Sequence, residues 1–454
     1  MTFLAVIPLS VGWAAGEAKG SEGAVDATWT PSTDLSLRFD PAAVQANTGG
    51  ATTEGQSPYD IWTSKRLTGD WGGARTELEE HGVSLSMILA VSYAQNFRGG
   101  LNTHNANAFS GDWRMNLTLD FDKMGLIPGG FFFIRGKSSW NNGVDADVGS
   151  LRPIHWVFGS GGDEEYYIDK WWYGQRLWED RLEFRVGKLL TPSDLFDIPA
   201  YAKWPWDQFM NANLNRSPIV PHRKAMGAYL KIKLCEWAHF QMAGVDADQT
   251  DVTLAADVER ALHGPATSVG LWELVLSPKF ESVNGALPGN YRFGWWYDGR
   301  SKRVLRDELD GLLAPRWRSD DVGWYVTFDQ FVWKENDDAK DKQGLGAFLR
   351  YSFAHPETNR INHFWSVGAQ YEGLFPGRSK DVLAFGVAQS LMSKTFRHEI
   401  NNLADRETIY ELYYAYHATP WCVITPDIQL ITNPGGNKDA HNALIGGVRV
   451  RIAF

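Results

Sequence analysis

Arginine, lysine, carboxylate and amide side chains recur at every second position in several stretches of this chain. Arg114, Asn116 and Asp120 share one parity, Arg135 and Lys137 follow, and Glu183 and Arg185 repeat the pattern. Arg350, Gln370, Glu411, Gln429 and Arg449 hold the corresponding positions of later stretches. An arginine offers a fork of donors, a carboxylate paired acceptors and an amide one of each. A face built from them makes paired hydrogen bonds with a polar solute. The plainer account of any single residue is a solvated side chain that keeps a watery face wet. The group says more, because cations and carboxylates mix on one face. A second concentration lies between Thr191 and Arg223, where Asp194, Asp197, Asp207, Asn211, Asn213, Asn215 and Arg216 accompany Trp204 and Trp206. The two indoles offer stacking surface, and Pro192, Pro199, Pro205, Pro218 and Pro221 stiffen the segment. The plainer account here is a loop packed on its own aromatics.

Catalytic and metal-binding patterns are weaker. Glu164-Glu165 and Asp320-Asp321 could be imagined as a glycosidase pair, but among 54 acidic residues such neighbours arise freely. Asp337-Asp338 to Asp341 lacks the glycine and closing glutamate of a calcium loop. The 11 histidines are scattered, without HExxH, and neither GxSxG nor a phosphate-binding glycine motif occurs after a strand. The sequence therefore yields no catalytic residue, no metal ligand set and no cofactor.

A period of two belongs to β-strands, and it runs through the chain after residue 82. Trp113, Met115, Leu117, Leu119 and Phe121 alternate with the polar set around Arg114. At the far end Val448, Val450, Ile452 and Phe454 alternate with Arg449 and Arg451. Sixteen strands are expected, centred near residues 90, 117, 135, 171, 185, 229, 241, 273, 294, 328, 348, 367, 387, 412, 426 and 448. Alternation alone suits a soluble sandwich as well as a barrel in lipid. Connection length separates them. Tight breaks follow the second, fourth, sixth and fourteenth strands, and long connections follow the first, third, fifth, seventh and ninth. Long loops confined to one end are the habit of outer-membrane barrels. The stretch Ser277–Asn290 is longer than that pattern favours. Trp140, Tyr166, Tyr167, Trp237, Trp272, Trp295, Trp296, Trp333 and Trp421 sit near strand ends, as interfacial girdles require.

Composition agrees. The net charge of −10 gives no basic footprint for nucleic acid. A mean hydropathy of −0.32 looks soluble, but alternation produces the same average in a membrane barrel. The two cysteines exclude a disulfide scaffold. Cys235 and Cys422 fall at turns eight strands apart, and are expected to stay unlinked. The apolar, charge-free start reads as a secretory signal over 1–18, and its lack of a basic opening suggests a shortened or misassigned start; the plainer account is a buried first strand. Residues 19–57 read as a disordered leader.

Leu67-Thr68-Gly69-Asp70-Trp71-Gly72-Gly73-Ala74-Arg75, continued by Leu78 and Gly82, resembles the opening L-x-G-D-W-G-G-x-R-x-x-L-x-x-x-G of the carbohydrate-selective, OprB-like porins. Arg181–Phe196 is similar too, as are Pro426-Asp427-Ile428-Gln429, Asn433-Pro434-Gly435-Gly436 and the stretch from Ala443 to the terminal Phe454. The resemblance spans residues 60–454. It implies an all-β fold: a 16-stranded antiparallel transmembrane β-barrel in the outer membrane of a Gram-negative-type bacterium. A short N-terminal helix and an inward-folded constriction loop at Thr191–Arg223 would complete it. The opening motif and helix then occupy 58–82 and the barrel 83–454, with Asp70 capping, Arg75 to His81 helical and Gly82 ending the helix. The implied function is passive, selective diffusion of neutral mono- or oligosaccharides. The pore-lining candidates become Arg114, Asn116, Asp120, Arg135, Lys137, Glu183, Arg185, Trp204, Trp206 and Arg350, with outer-membrane lipid around the barrel. Monomer and homotrimer both remain open, and the rival readings are a barrel-embedded hydrolase and a secreted all-β carbohydrate-binding protein without a pore.

Overall fold

The computed structural model describes residues 59–141, 143–155, 164–247, 267–305, 315–338, 341–400 and 403–454. The expected signal and leader lie outside them. Among the described residues no helix is long and apolar enough to cross a membrane. The alternating segments form sixteen long strands: β1 Val83–Gly100, β2 Asn107–Asp120, β3 Gly130–Asn141, β4 Glu164–Leu177, β5 Leu182–Thr191, β6 Arg223–Cys235, β7 Ala238–Asp246 and β8 Ser268–Leu276. The remainder are β9 Gly285–Asp298, β10 Asp321–Lys334, β11 Gly344–Ala354, β12 Ile361–Glu372, β13 Val382–Met392, β14 Arg406–Thr419, β15 Cys422–Thr432 and β16 His441–Ala453. Each pairs antiparallel with its neighbour in sequence, and β1 also pairs with β16, Val91 facing Val450, so the sheet closes into a 16-stranded barrel. Closure leaves no open strand edge, the condition for crossing lipid with strands.

Parity divides the wall as expected. Leu85, Leu117 and Ile134 lie side by side across β1, β2 and β3. The intervening residues turn to a lumen where Asp112, Asn116, Arg135, Glu183 and Arg185 are buried. Two aromatics expected at the lipid interface turn inward instead. Trp295 is exposed and stacks on Trp272 at 6.2 Å, whereas Trp296 is buried in the lumen. Tyr166 is exposed, whereas the Tyr167 hydroxyl lies 3.1 Å from the Lys224 ammonium. Adjacent residues on a strand point to opposite faces, so such pairs cannot both meet lipid.

Short turns lie at one end (121–129, 178–181, 236–237, 420–421), and the longest connections are those that follow β3, β5, β7 and β9. The connection after β1 departs from expectation, since it is only residues 101–106. The extended pairing of β1 and β2 consumes the rest, and the amides of Leu101 and Asn102 bond to the Asp147 carbonyl at 2.8 and 2.9 Å. The long turn Ser277–Asn290 holds a small hairpin, Lys279–Ser282 pairing with Gly285–Pro288.

The opening motif forms a knot at the short-turn end. Trp71–Gly73 is a 3-10 turn leading into helix α1, Ala74–Glu80. Asp70 Oδ1 accepts from the Thr76 amide at 3.0 Å, and Gly82 ends the segment at φ +86°, a conformation that glycine enters without a steric penalty. Arg75 is buried, lies 4.0 Å over the Trp71 ring and donates to the Gly69 carbonyl at 3.1 Å. The Leu67 amide bonds to Ala453 O at 2.8 Å, and Trp421 Nε1 donates to Ile61 O at 2.6 Å. The knot thus fastens to the barrel near the β1–β16 seam.

Cys235 ends β6 and Cys422 begins β15, and both are free thiols. A disulfide needs Cα atoms within roughly 7 Å, and eight strands of ring separate the two. Non-reducing peptide mapping should find both unlinked; a native Cys235–Cys422 bridge would contradict this topology.

Candidate functional site

The connection 192–222, called L3 below, folds into the barrel. From Leu195 to Ser217 most of its residues are buried, including Phe196, Phe209, Leu214, Asn211 and Asn213. It contains the short helix Ala212–Asn215, capped by the Asn211 side chain. An inward loop must give partners to its backbone groups, because few waters fit beside it. Strands elsewhere on the barrel wall supply them. Glu411 on β14 accepts from the Met210 and Asn211 amides at 2.6 and 3.0 Å. Glu273 on β8 accepts from the Asp197 amide at 3.0 Å, and Asp329 on β10 from the Ala200 amide at 3.1 Å. Arg449 on β16 donates to Gln208 O at 2.9 Å and to Pro205 O.

A second loop also turns inward, which the sequence did not suggest. Residues 143–155 contain the short helix Asp145–Val148 and bury Val144, Val148, Ile154 and His155. Glu407 on β14 accepts from the Leu151 amide at 2.9 Å, Ser150 Oγ at 3.0 Å and the Gly435 amide at 2.8 Å. The Ala212 amide donates to Pro153 O at 3.0 Å, joining the two loops. Their polar residues give no warning of this, because the wall carboxylates that hold them are remote in sequence.

The candidate lining residues separate into distinct settings. Arg114 and Lys137 converge on the buried Asp112: Arg114 Nε and Nη2 lie 2.5 and 3.2 Å from its oxygens, Lys137 Nζ 3.4 Å. The Arg114 guanidinium stacks on the Trp206 ring at 3.9 Å, and its Nη1 has no partner among the described residues. Side-chain exposures of 12% and 15% leave Arg114 and Lys137 in reach of water, while Asp112 has none. A carboxylate thus stands behind two cations that meet the solvent. Trp206 spends a ring face on Arg114, and the half-buried Trp204 lies at its flank, centroids 6.1 Å apart.

Arg135 bonds to Asp169 at 2.6 Å, and Lys224 reaches the same carboxylate at 3.1 Å. Asp169 and Lys170 are both buried, although adjacent on one strand. A register shift explains it: Arg135 faces Lys170 and Gly136 faces Ile168, leaving Asp169 as the extra residue of a bulge. Lys170 then pairs with Asp194 of L3. Glu183 and Arg185 pair at 2.7 Å, with Arg185 lying 4.4 Å over Trp172, itself stacked on Phe133. The cavity beside this stack, lined by Phe133, Lys170, Trp172, Arg185 and Asp194, is about 10 Å³. That suits one water and no sugar ring. Asn116 bonds to Ser86 at 3.1 Å. Asp120 caps the following turn, accepting from the Asp122 and Lys123 amides at 3.2 and 3.1 Å. Arg350 has no exposed surface and lies beneath L3. Among the candidates Arg114, Asp120, Lys137, Trp204 and Trp206 thus keep partial exposure, whereas Asn116, Arg135, Glu183, Arg185 and Arg350 are buried.

One buried group resembles a catalytic order. Ser92 Oγ lies 2.7 Å from His155 Nδ1, and His155 Nε2 is 3.9 Å from Asp427. Burial, helped by Arg449, depresses the His155 pKa to about 3. With Ser92 3% exposed, the group ties a loop to the wall and presents nothing to a substrate.

Comparison with known proteins places these features. The family model of the carbohydrate-selective porins, OprB family, matches residues 103–454. Porin B of Pseudomonas aeruginosa is 24% identical, the alignment covering 92% of this chain and 96% of that protein. A putative porin, QuiX, of Acinetobacter baylyi is 22% identical over 87% of this chain and 95% of its own length. The high-pH structure of Pseudomonas putida OprB superposes with a TM-score of 0.78 at 23% identity, covering 87% of this chain and all of that one. That last likeness is one of fold.

Proposed function

The chain belongs to the OprB family of carbohydrate-selective porins, and from that premise we propose how it selects a sugar. It is an outer-membrane porin: the apolar outer face partitions into lipid, closure satisfies the backbone, and the polar lumen holds water. The observation that carries the selective step is Arg114, bonded to Asp112, stacked on Trp206 and still 12% exposed along its side chain. A neutral sugar entering beside L3 gives up hydration. Fixed donors on Arg114 and Lys137 replace part of it, with no reorganisation of their own. Asp112 holds the guanidinium plane so that its outer edge meets adjacent hydroxyls. Arg135, Glu183 and Arg185 lie deeper in paired networks and shape the wall's field. Whether one barrel works alone or three assemble does not alter this step, which uses one lumen.

Conductance of the purified protein in a planar bilayer, blocked by a panel of sugars, tests the reading. The parent should discriminate among neutral solutes of one size; equal permeation would reduce it to a general porin. Arg114→Ala should weaken sugar block by about 1.5–3 kcal/mol, the worth of a charged hydrogen bond, or roughly tenfold or more. It should also raise cation conductance, because Asp112 loses its main cover. Unchanged block in that variant would move the site away from β2.

A further inference from the structure

We propose that Arg350 is a positioning residue for solute selection: with Asp197 it fixes the course of L3, and so sets Trp206 against Arg114. The inference rests on the porin reading and adds the part that holds the filter in place.

Arg350 projects from β11 into the lumen, yet neither it nor Asp197 exposes any side chain. Its Nε donates to Asp197 Oδ1 at 2.8 Å. One Nη reaches Leu214 O at 3.2 Å and Ser366 Oγ at 3.4 Å, the other Asp197 O at 3.2 Å and Asn215 O at 3.3 Å. Asp197 in turn accepts from Thr327 Oγ1 and from the Ser217 amide at 3.3 Å, and its own amide donates to Glu273. These bonds gather two stretches of L3, around Asp197 and around Leu214–Ser217, onto one guanidinium. The base of the intervening segment is thereby closed. That segment carries Trp204, Trp206 and Asp207, and Arg451 holds Asp207 at 2.6 Å.

Two physical points favour positioning over simple stability. A fully buried ion pair brings little net stability relative to apolar residues of the same volume, since desolvation offsets the attraction. Its gain lies in specifying one arrangement. Asp197 also sits at φ +53°, in the left-handed region that aspartate tolerates better than most residues. An ordinary loop residue would not adopt it without the bonds that hold it there. Lysine at 350 could not replace this, having no planar fork to serve carbonyls on both stretches.

The test is the double variant Arg350→Met/Asp197→Asn, which removes the pair without leaving a buried charge unmatched. Folding is scored by heat-resistant migration in detergent, and selection by permeation of a monosaccharide against a disaccharide. The size limit for uncharged polyethylene glycols is measured separately. The barrel should assemble, the sugar discrimination should fall severalfold, and the polymer limit should rise. Arg114→Ala, harmful alone, should add little on this background, although Arg114 and Arg350 do not touch. Arg350→Lys should fall between parent and double variant; it also stands in if the double variant fails to assemble. Parental discrimination in the variants, or full additivity with Arg114→Ala, would overturn the proposal. A parent that conducts without any sugar preference defeats the functional reading instead, and the polymer limit then still decides whether Arg350 positions L3.

Discussion

Leu117→Arg is expected to destabilise the barrel by roughly 2–4 kcal/mol if the residue lies near the middle of the bilayer. Leu117 sits in an unbroken apolar row with Leu85 and Ile134 on the neighbouring strands. An arginine there has no lumen partner to reach, and must either enter hydrocarbon or snorkel past that row. The control is Asn116→Asp, one residue away. Asn116 faces the lumen and stands in register with Arg135, so a carboxylate there gains a cation. Urea unfolding from lipid vesicles should show a large loss for the first change and little for the second. Equal stability of the two variants would reverse the assignment of faces on β2.

The second expected effect is a loosening of the loop at 143–155 as pH rises from acid to neutral. Asp145 begins its short helix and accepts the Ile154 amide at 2.9 Å. Burial pushes its pKa up to about 6, and the hydrogen bond from Ile154 only partly counters it. The folded loop therefore holds a proton more tightly than the unfolded chain, whose aspartate titrates near 3.9. The stabilisation is fully present below about pH 4 and is lost as pH rises through about 6, on the order of 3 kcal/mol over the window. Exchange of the Ile154 amide, corrected for its intrinsic pH dependence, should thus be better protected at pH 4 than at pH 7. Asp145→Asn, neutral throughout, should remove the share of that difference due to Asp145, leaving only what Glu407, which holds the Leu151 amide of the same loop, contributes. A pH dependence that survives undiminished in the variant would place its origin elsewhere on the wall.

The two effects differ in how far the sequence foretold them. The row through Leu117 was legible, because strand parity is a local property: the backbone sends alternate side chains to opposite faces whatever the fold around them. Loop lengths then selected a barrel, and the Leu67–Gly82 motif with the terminal strand named its kind. Local chemistry also marked Asp70 as a cap and Gly82 as a stop; Gly82 turns at positive φ as expected, whereas Gly73 holds the helix N-cap position and Asp70 reaches in only to the Thr76 amide. Asp112 shares the parity of Arg114 and was within reach of the same reasoning.

What the sequence alone determined, then, is the wall: sixteen strands, their facing, and a set of charged residues turned inward. Tertiary structure decided what those charges do. A bulge at Asp169 turns two successive residues inward, and no periodicity announces it. Arg350 and Asp197 are separated by 153 positions; nothing local tells an arginine that lines water from one that lies beneath a loop. The loop at 143–155 is held in the lumen by Glu407, on the fourteenth strand, which accepts its Leu151 amide and Ser150 hydroxyl. Trp206 reads as a stacking surface and proves to be a support for Arg114. Pairing along a strand follows from neighbours in sequence, whereas the filling of a lumen depends on which side chains closure brings across it.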